Sequence, residues 1–185
     1  GGFVALQGLW AMDWLVQVEG LTRAVAAHHL LLTTVAMVVG FLGTALFIGP
    51  LGRRGITPDH VLGTGALLAL ACMGAVLAGV RPTTVPWFLL GLTFTTGNIA
   101  YAQLASHFPA AQAGRVNTAL NLCAFVGAFA LQWGYGALMD LACAHGQSPA
   151  QAHRGAFMLL LGLQAAGVAW YLLGARRAGA AATRT

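Results

Sequence analysis

Lysine is absent from this chain of 185 residues, and serine occurs only as Ser106 and Ser148. Charged residues make up 7% of the sequence, against roughly 25% in a soluble globular domain. That is too few to cover a water-exposed surface, so a soluble domain is excluded and an integral membrane protein is expected. Neither serine lies in the middle of an apolar run, which removes the nucleophile an intramembrane serine hydrolase would need. Cys72, Cys123 and Cys143 are widely spaced and form no CxxC pair, so no disulfide framework, redox site or zinc site is expected. They read as small apolar packing residues. The six histidines all stand at the ends of apolar runs or between them. No pair is placed to hold a haem iron in mid-membrane, and neither a metal nor a cofactor is expected.

What the chain has instead is apolar length: 58% of its residues are hydrophobic. A helix crossing about 30 Å of hydrocarbon needs roughly 20 residues. Five runs qualify, at about 28–51, 61–80, 85–106, 116–142 and 155–175. A sixth, at 1–18, is marginal. It starts abruptly, with no initiator Met or basic segment, and reads as a helix whose first turns belong to a longer protein. The expected fold is all-α, a polytopic six-helix transmembrane bundle over residues 1–175. The small polar tail 176–185 is expected to be disordered.

The breaks carry their own signals. Thr57 can cap a helix that has Pro58 in its first position and Asp59 beside its positive end. Ser148 and Gln151 can close a capping box around Pro149. Every link is short, so neighbouring helices should run antiparallel. The net charge of +5 comes from arginine alone and is unevenly placed. Arg53, Arg54, Arg115, Arg176, Arg177 and Arg184 fall on one side of the bundle, and Arg23, Arg81 and Arg154 on the other. Such an excess is better explained by membrane topology than by nucleic acid, which is not an expected partner. It puts the C-terminus in the cytoplasm.

Polar side chains gather in particular runs. Those at 61–80 and 155–175 are nearly bare, holding Thr64 and Gln164. The run at 85–106 holds Thr93, Thr95, Thr96, Asn98 and Gln103, and that at 116–142 holds Asn117, Thr118, Asn121 and Gln132. An amide buried unpaired in hydrocarbon costs roughly 4–8 kcal/mol on an alkane scale, so these groups should face protein or water. On a helical wheel Asn117, Asn121, Ala128, Gln132 and Tyr135 fall within an arc of about 60°. Bonding between helices would also account for single amides. Gly40, Gly43, Gly127 and Gly134 read as packing or bending points. Asp13 and Asp140 stand near the ends of their runs, and Asp13, between Trp10 and Trp14, is the better functional candidate.

Four stretches make the chain similar to the C-terminal six-helix half of a Major Facilitator Superfamily transporter. "LQGLWAMDWLVQVEGLTRAVAAHHLL" (residues 6–31) resembles the seventh helix and the loop after it, and "GPLGRRG" (49–55) the loop between the eighth and ninth. "NIAYAQLASHFPAAQAGRVNTALNLCAFVGAFALQWGYG" (98–136) resembles the tenth helix, an inner loop and the eleventh helix. The last run resembles the twelfth. One departure stands out: the family loop usually carries an Asp followed by an Arg where this chain has Gly49 and Pro50.

The resemblance implies a permease moving a small organic solute by alternating access, with the seventh, eighth, tenth and eleventh helices along the path and the ninth and twelfth outside it. Gln7, Trp10, Trp14, Asn98, Tyr101, Asn117, Asn121 and Gln132 would then face the substrate path. Asp13, Arg53, Arg54 and Arg115 would be gating or interfacial charges. The implied partners are the solute, the lipid bilayer, a missing N-terminal half, and a coupling proton or ion. The implied location is a bacterial cytoplasmic membrane, and no catalytic residue is expected. The rival reading is a self-contained six-helix membrane enzyme or assembly factor. The paired Asn-Pro-Ala half-helices of a water channel are absent.

Overall fold

The computed structural model describes residues 6–182, with side chains as far as Gly174. All regular structure among them is helical. A π-helical turn, Leu6–Trp10, leads into the short helix α1, Ala11–Gln17. Then come α2, Arg23–Arg53; α3, Pro58–Leu77; α4, Thr84–Phe94; and α5, Ile99–Ser106. The helices α6, Ala113–Ala144, and α7, Pro149–Ala182, complete the chain. Two 3-10 turns, Thr95–Asn98 and Ala110–Gln112, precede α5 and α6.

Four of these helices are long and apolar enough to cross a membrane: α2, α3, α6 with the turn before it, and α7 as far as Gly174. The two other expected spans differ. Of the run 1–18, the described part is the π turn with the seven residues of α1, and residues 1–5 lie outside the described set. The run 85–106 is divided into α4, a 3-10 turn and α5. Its sequence explains the division. The hydroxyls of Thr93, Thr95 and Thr96 each donate to a carbonyl three or four residues back (2.8 Å each at best), and Gly97 and Asn98 are poor helix formers.

Caps place the other boundaries, and several fall outside the expected limits. The Thr22 hydroxyl accepts from the Val25 amide and starts α2 five residues before His28. Thr57 caps α3 by accepting from the His60 amide, with Pro58 first in the helix as expected. Ser148 and Gln151 form the expected box, with Ser148 N donating to Gln151 Oε1 (3.0 Å) and Gln151 N to Ser148 Oγ (3.3 Å). That box starts α7 six residues before Gly155. At the other ends, Gly55, Gly79 and Gly146 have φ of 81°, 71° and 83°. Each lets the next residue's amide reach back five residues, as Ile56 N does to Leu51 O (3.1 Å). The tail does not leave the helix at Ala175. The alanine-rich stretch after Arg177 keeps α7 helical to Ala182, and residues 183–185 lie outside the described set.

α4 is the hub of one half of the bundle, packing on α2 and α3, while α6 packs on α7 and α7 on α3. The backbones approach closely. A methyl group on Gly40 would collide with Leu92 O and Thr95, and one on Gly91 with Thr33 O. One on Gly65 would strike Thr96. Small residues let membrane helices gain contact area that lipid cannot replace. Burial is concentrated at one end. Leu6, Trp14, Leu15, Ala26, Met73, Val76, Trp87, Leu90, Tyr135 and Phe157 join where α1, the start of α2, the end of α3, the start of α4, the end of α6 and the start of α7 meet. At the opposite end Arg53, Arg54 and Arg115 and most of the residues beside them are exposed.

Candidate functional site

The face of α6 that carries the amides is the inward one. Ala128 and Tyr135 are buried, Asn117 and Gln132 half-buried, and Asn121 exposed near the arginine-rich end. On the other side Phe125, Phe129 and Trp133 are 65–71% exposed. The stripe expected from the wheel therefore turns away from the apolar outer surface.

At the packed end the stripe meets a cluster of rings. Trp10 stacks on Tyr135 with centroids 5.1 Å apart, and its Nε1 donates to the carbonyl of Gln132 (3.1 Å). A stacked pair of this kind adds about 0.5–1.5 kcal/mol beyond the area buried. The Tyr135 hydroxyl lies 3.1 Å from both Nδ1 and the carbonyl oxygen of His153. Trp14 meets His153 edge-on at 6.4 Å and lies against Phe157 at 4.6 Å. Trp14, His153 and Phe157 have no exposed surface. Yet Trp14 Nε1 and His153 Nε2 are buried without a hydrogen-bond partner. Asp13, half-buried, directly precedes Trp14 in α1.

Toward the arginine-rich end α5 faces α6. Tyr101 Oη donates to Asn121 Oδ1 (3.1 Å). Gln103 Nε2 and Asn117 Oδ1 are buried and lack partners. Each such group costs about 1–3 kcal/mol when it is buried away from water, and these two lie on facing helices.

The structure thus brings Trp10, Trp14 and Gln132 into one cluster, with Gln7 in the π turn beside it, and Tyr101, Asn117 and Asn121 into another. Asn98 stands apart, exposed in the 3-10 turn. Arg53 closes the last turn of α2, Arg54 caps it, and Arg115 lies in the first turn of α6, all three exposed. A cleft of about 560 Å³ among α2, α3 and α4 is lined by none of the expected path residues.

The sequence reading missed His153, Phe157 and Gln103, and it left Tyr135 out of the path. His153 is not a loop residue: the cap at Ser148 draws it into α7. The signal was present, because His153, Phe157, Leu160 and Gln164 recur at the four, three, four spacing of one helical face. Among the described residues no three His, Cys, Asp or Glu side chains converge as metal ligands. No protein-family model, curated protein or solved structure matches the chain.

Proposed function

We propose that the chain is the C-terminal six-helix half of a Major Facilitator Superfamily transporter, a permease that moves a small organic solute by alternating access. One observation carries the reading. The amide-bearing face of α6 runs from a ring-packed end to an exposed, arginine-rich end, and Asn117 on it and Gln103 opposite on α5 each have a buried polar atom without a protein partner. Alternating-access transporters place the substrate near mid-membrane, beside interrupted helices, and close one end while the other is open. Here the interruption is the 3-10 turn between α4 and α5, and a short break of that type is a common hinge. Trp10, Tyr135 and His153 form the shut gate. Tyr101, Gln103, Asn117 and Asn121 bind the solute's polar groups. The arginine-rich end faces the cytoplasm of a bacterial cell, and a second six-helix half supplies the other wall and the coupling site for a proton or ion.

Side-specific labelling of the full-length protein tests this without knowledge of the solute. With Cys72, Cys123 and Cys143 changed to Ala, Asn121→Cys and Gln132→Cys are exposed to a membrane-impermeant maleimide in right-side-out and inside-out vesicles. Alternating access requires Gln132→Cys to label from both faces. Labelling of both positions from one face alone would describe a pit and end the transport reading.

A further inference from the structure

We propose that the cleft among α2, α3 and α4 binds one anionic phospholipid of the surrounding bilayer, its acyl chains along the cleft and its phosphate at Arg53, Arg54 and His60. The inference rests on membrane placement and does not depend on transport. The cleft encloses about 560 Å³, and Gly43, Phe47, Leu51, Ile56 and Leu68 contribute to its wall. Thr93 and Thr96 also line it, but their hydroxyl protons go to carbonyls of their own helix, so they ask nothing of an occupant. Phe47 and Leu68, 62% and 51% exposed, put the cleft on the surface that faces lipid.

Cations stand beside one end of the cleft, although the arginines themselves do not line it. Leu51 and Ile56 both line the cleft, and Arg53 and Arg54 lie between them in the chain, exposed. Among the described residues the one ion pair joins Arg81 to Glu19, at the opposite end of the bundle, so neither arginine is neutralised by a carboxylate there. His60 lines the same mouth, and with Nδ1 at 2.9 Å from Thr57 Oγ1 its Nε2 is left for a ligand. The start of α3 at Pro58 adds the positive end of a helix dipole. The nearby acid, Asp59, does not line the cleft and accepts the Tyr171 hydroxyl of α7 (3.0 Å). An apolar trough with cations at one end fits an amphiphile of opposite charge. The bilayer is its source, because a free phosphate would leave the trough unfilled.

The test is a titration of the full-length protein in detergent with dioleoylphosphatidylglycerol, dioleoylphosphatidylcholine or inorganic phosphate, read by native mass spectrometry and thermal unfolding. One phosphatidylglycerol should remain bound saturably, at least ten-fold tighter than phosphatidylcholine. Each basic residue near an anionic headgroup is worth roughly five-fold, so Arg53→Gln with Arg54→Gln should weaken phosphatidylglycerol by roughly 25-fold. A methyl group on Gly43 meets nothing within 4 Å. Gly43→Leu should therefore fill the trough and weaken both lipids. A photoactivatable acyl chain on phosphatidylglycerol should label Phe47 or Leu68 in the unmodified protein, which keeps the test independent of how the variants fold. Equal affinity for the two lipids, a full response to phosphate alone, unchanged retention in Gly43→Leu, or label placed elsewhere would each overturn the proposal.

Discussion

A single hydroxyl group, that of Tyr135, ties α6 to both the side chain and the backbone of α7, lying 3.1 Å from Nδ1 and 3.1 Å from the carbonyl oxygen of His153. Both residues are buried, at 3% and 0% exposure, so no water can take over if the contact is lost. Trp10, stacked on the tyrosine, carries the link on to the π turn. Three segments distant in the chain are thereby joined at one point.

Tyr135→Phe should lower the stability of the purified protein by about 1–3 kcal/mol, because it removes the hydroxyl that both polar groups of His153 meet in the interior. Thermal unfolding in a fixed detergent measures it. His153→Leu should cost less in the Tyr135→Phe background than in the native one. Additive losses would show that the two groups do not act as a pair.

Trp14 separates size from polarity. Its ring has no exposed surface, and its Nε1 has no partner. Trp14→Ala should cost about 3–5 kcal/mol through the cavity it leaves. Trp14→Phe should cost clearly less, since the smaller ring keeps most of the contact with Phe157 and removes a stranded donor. Equal losses in an unfolding assay would mean that the indole N–H has a partner after all.

The glycines should divide by what lies opposite them. At Gly91 a new methyl group would meet the Thr33 carbonyl oxygen at 2.5 Å, and backbone cannot step aside cheaply. Gly91→Ala should lose about 1–3 kcal/mol by overpacking α2 against α4. Gly136→Ala should disturb the Trp10 indole, whose Cζ2 lies 3.0 Å from the added carbon, and should shift Trp fluorescence. Gly127→Ala meets nothing within 4 Å and should be neutral or slightly stabilising.

Glu19 ties the turn after α1 to the loop before α4, accepting from Arg81 Nη2 (3.1 Å) and from the Thr83 hydroxyl (3.1 Å). Its side chain is 5% exposed and that of Arg81 62%, so solvent screens the pair from the arginine side. Glu19→Ala should cost about 1–2 kcal/mol, and Arg81→Gln less, because the carboxylate keeps Thr83. Thermal unfolding of both variants at low and high salt should show the Arg81 part shrinking with ionic strength and the Thr83 part unchanged.

The caps were readable because they are local. Thr57 with Pro58, and Ser148 with Gln151, act within four residues, and the structure shows both. The wheel of α6 was readable because an amide has one affordable direction in an apolar surrounding. The 3-10 turn inside the run 85–106 was not readable, because hydropathy counts a threonine as mildly polar and ignores where its proton goes. Three hydroxyls turned back on their own carbonyls divide that run. His153 was misplaced by drawing the helix from the apolar run instead of from its cap.

Composition and periodicity alone determined that the chain is helical, apolar enough to cross a membrane several times, and polar along one line of α6. Those properties follow from backbone hydrogen bonds that must close within each segment when no water is present. Which helices touch, that Tyr135 finds His153, and that one end is packed while the arginine-rich end stays exposed were decided by tertiary structure. Contacts between residues far apart in the chain depend on the fit of whole helix surfaces, down to the missing methyl groups at Gly40, Gly65 and Gly91. No window of neighbouring residues contains that fit.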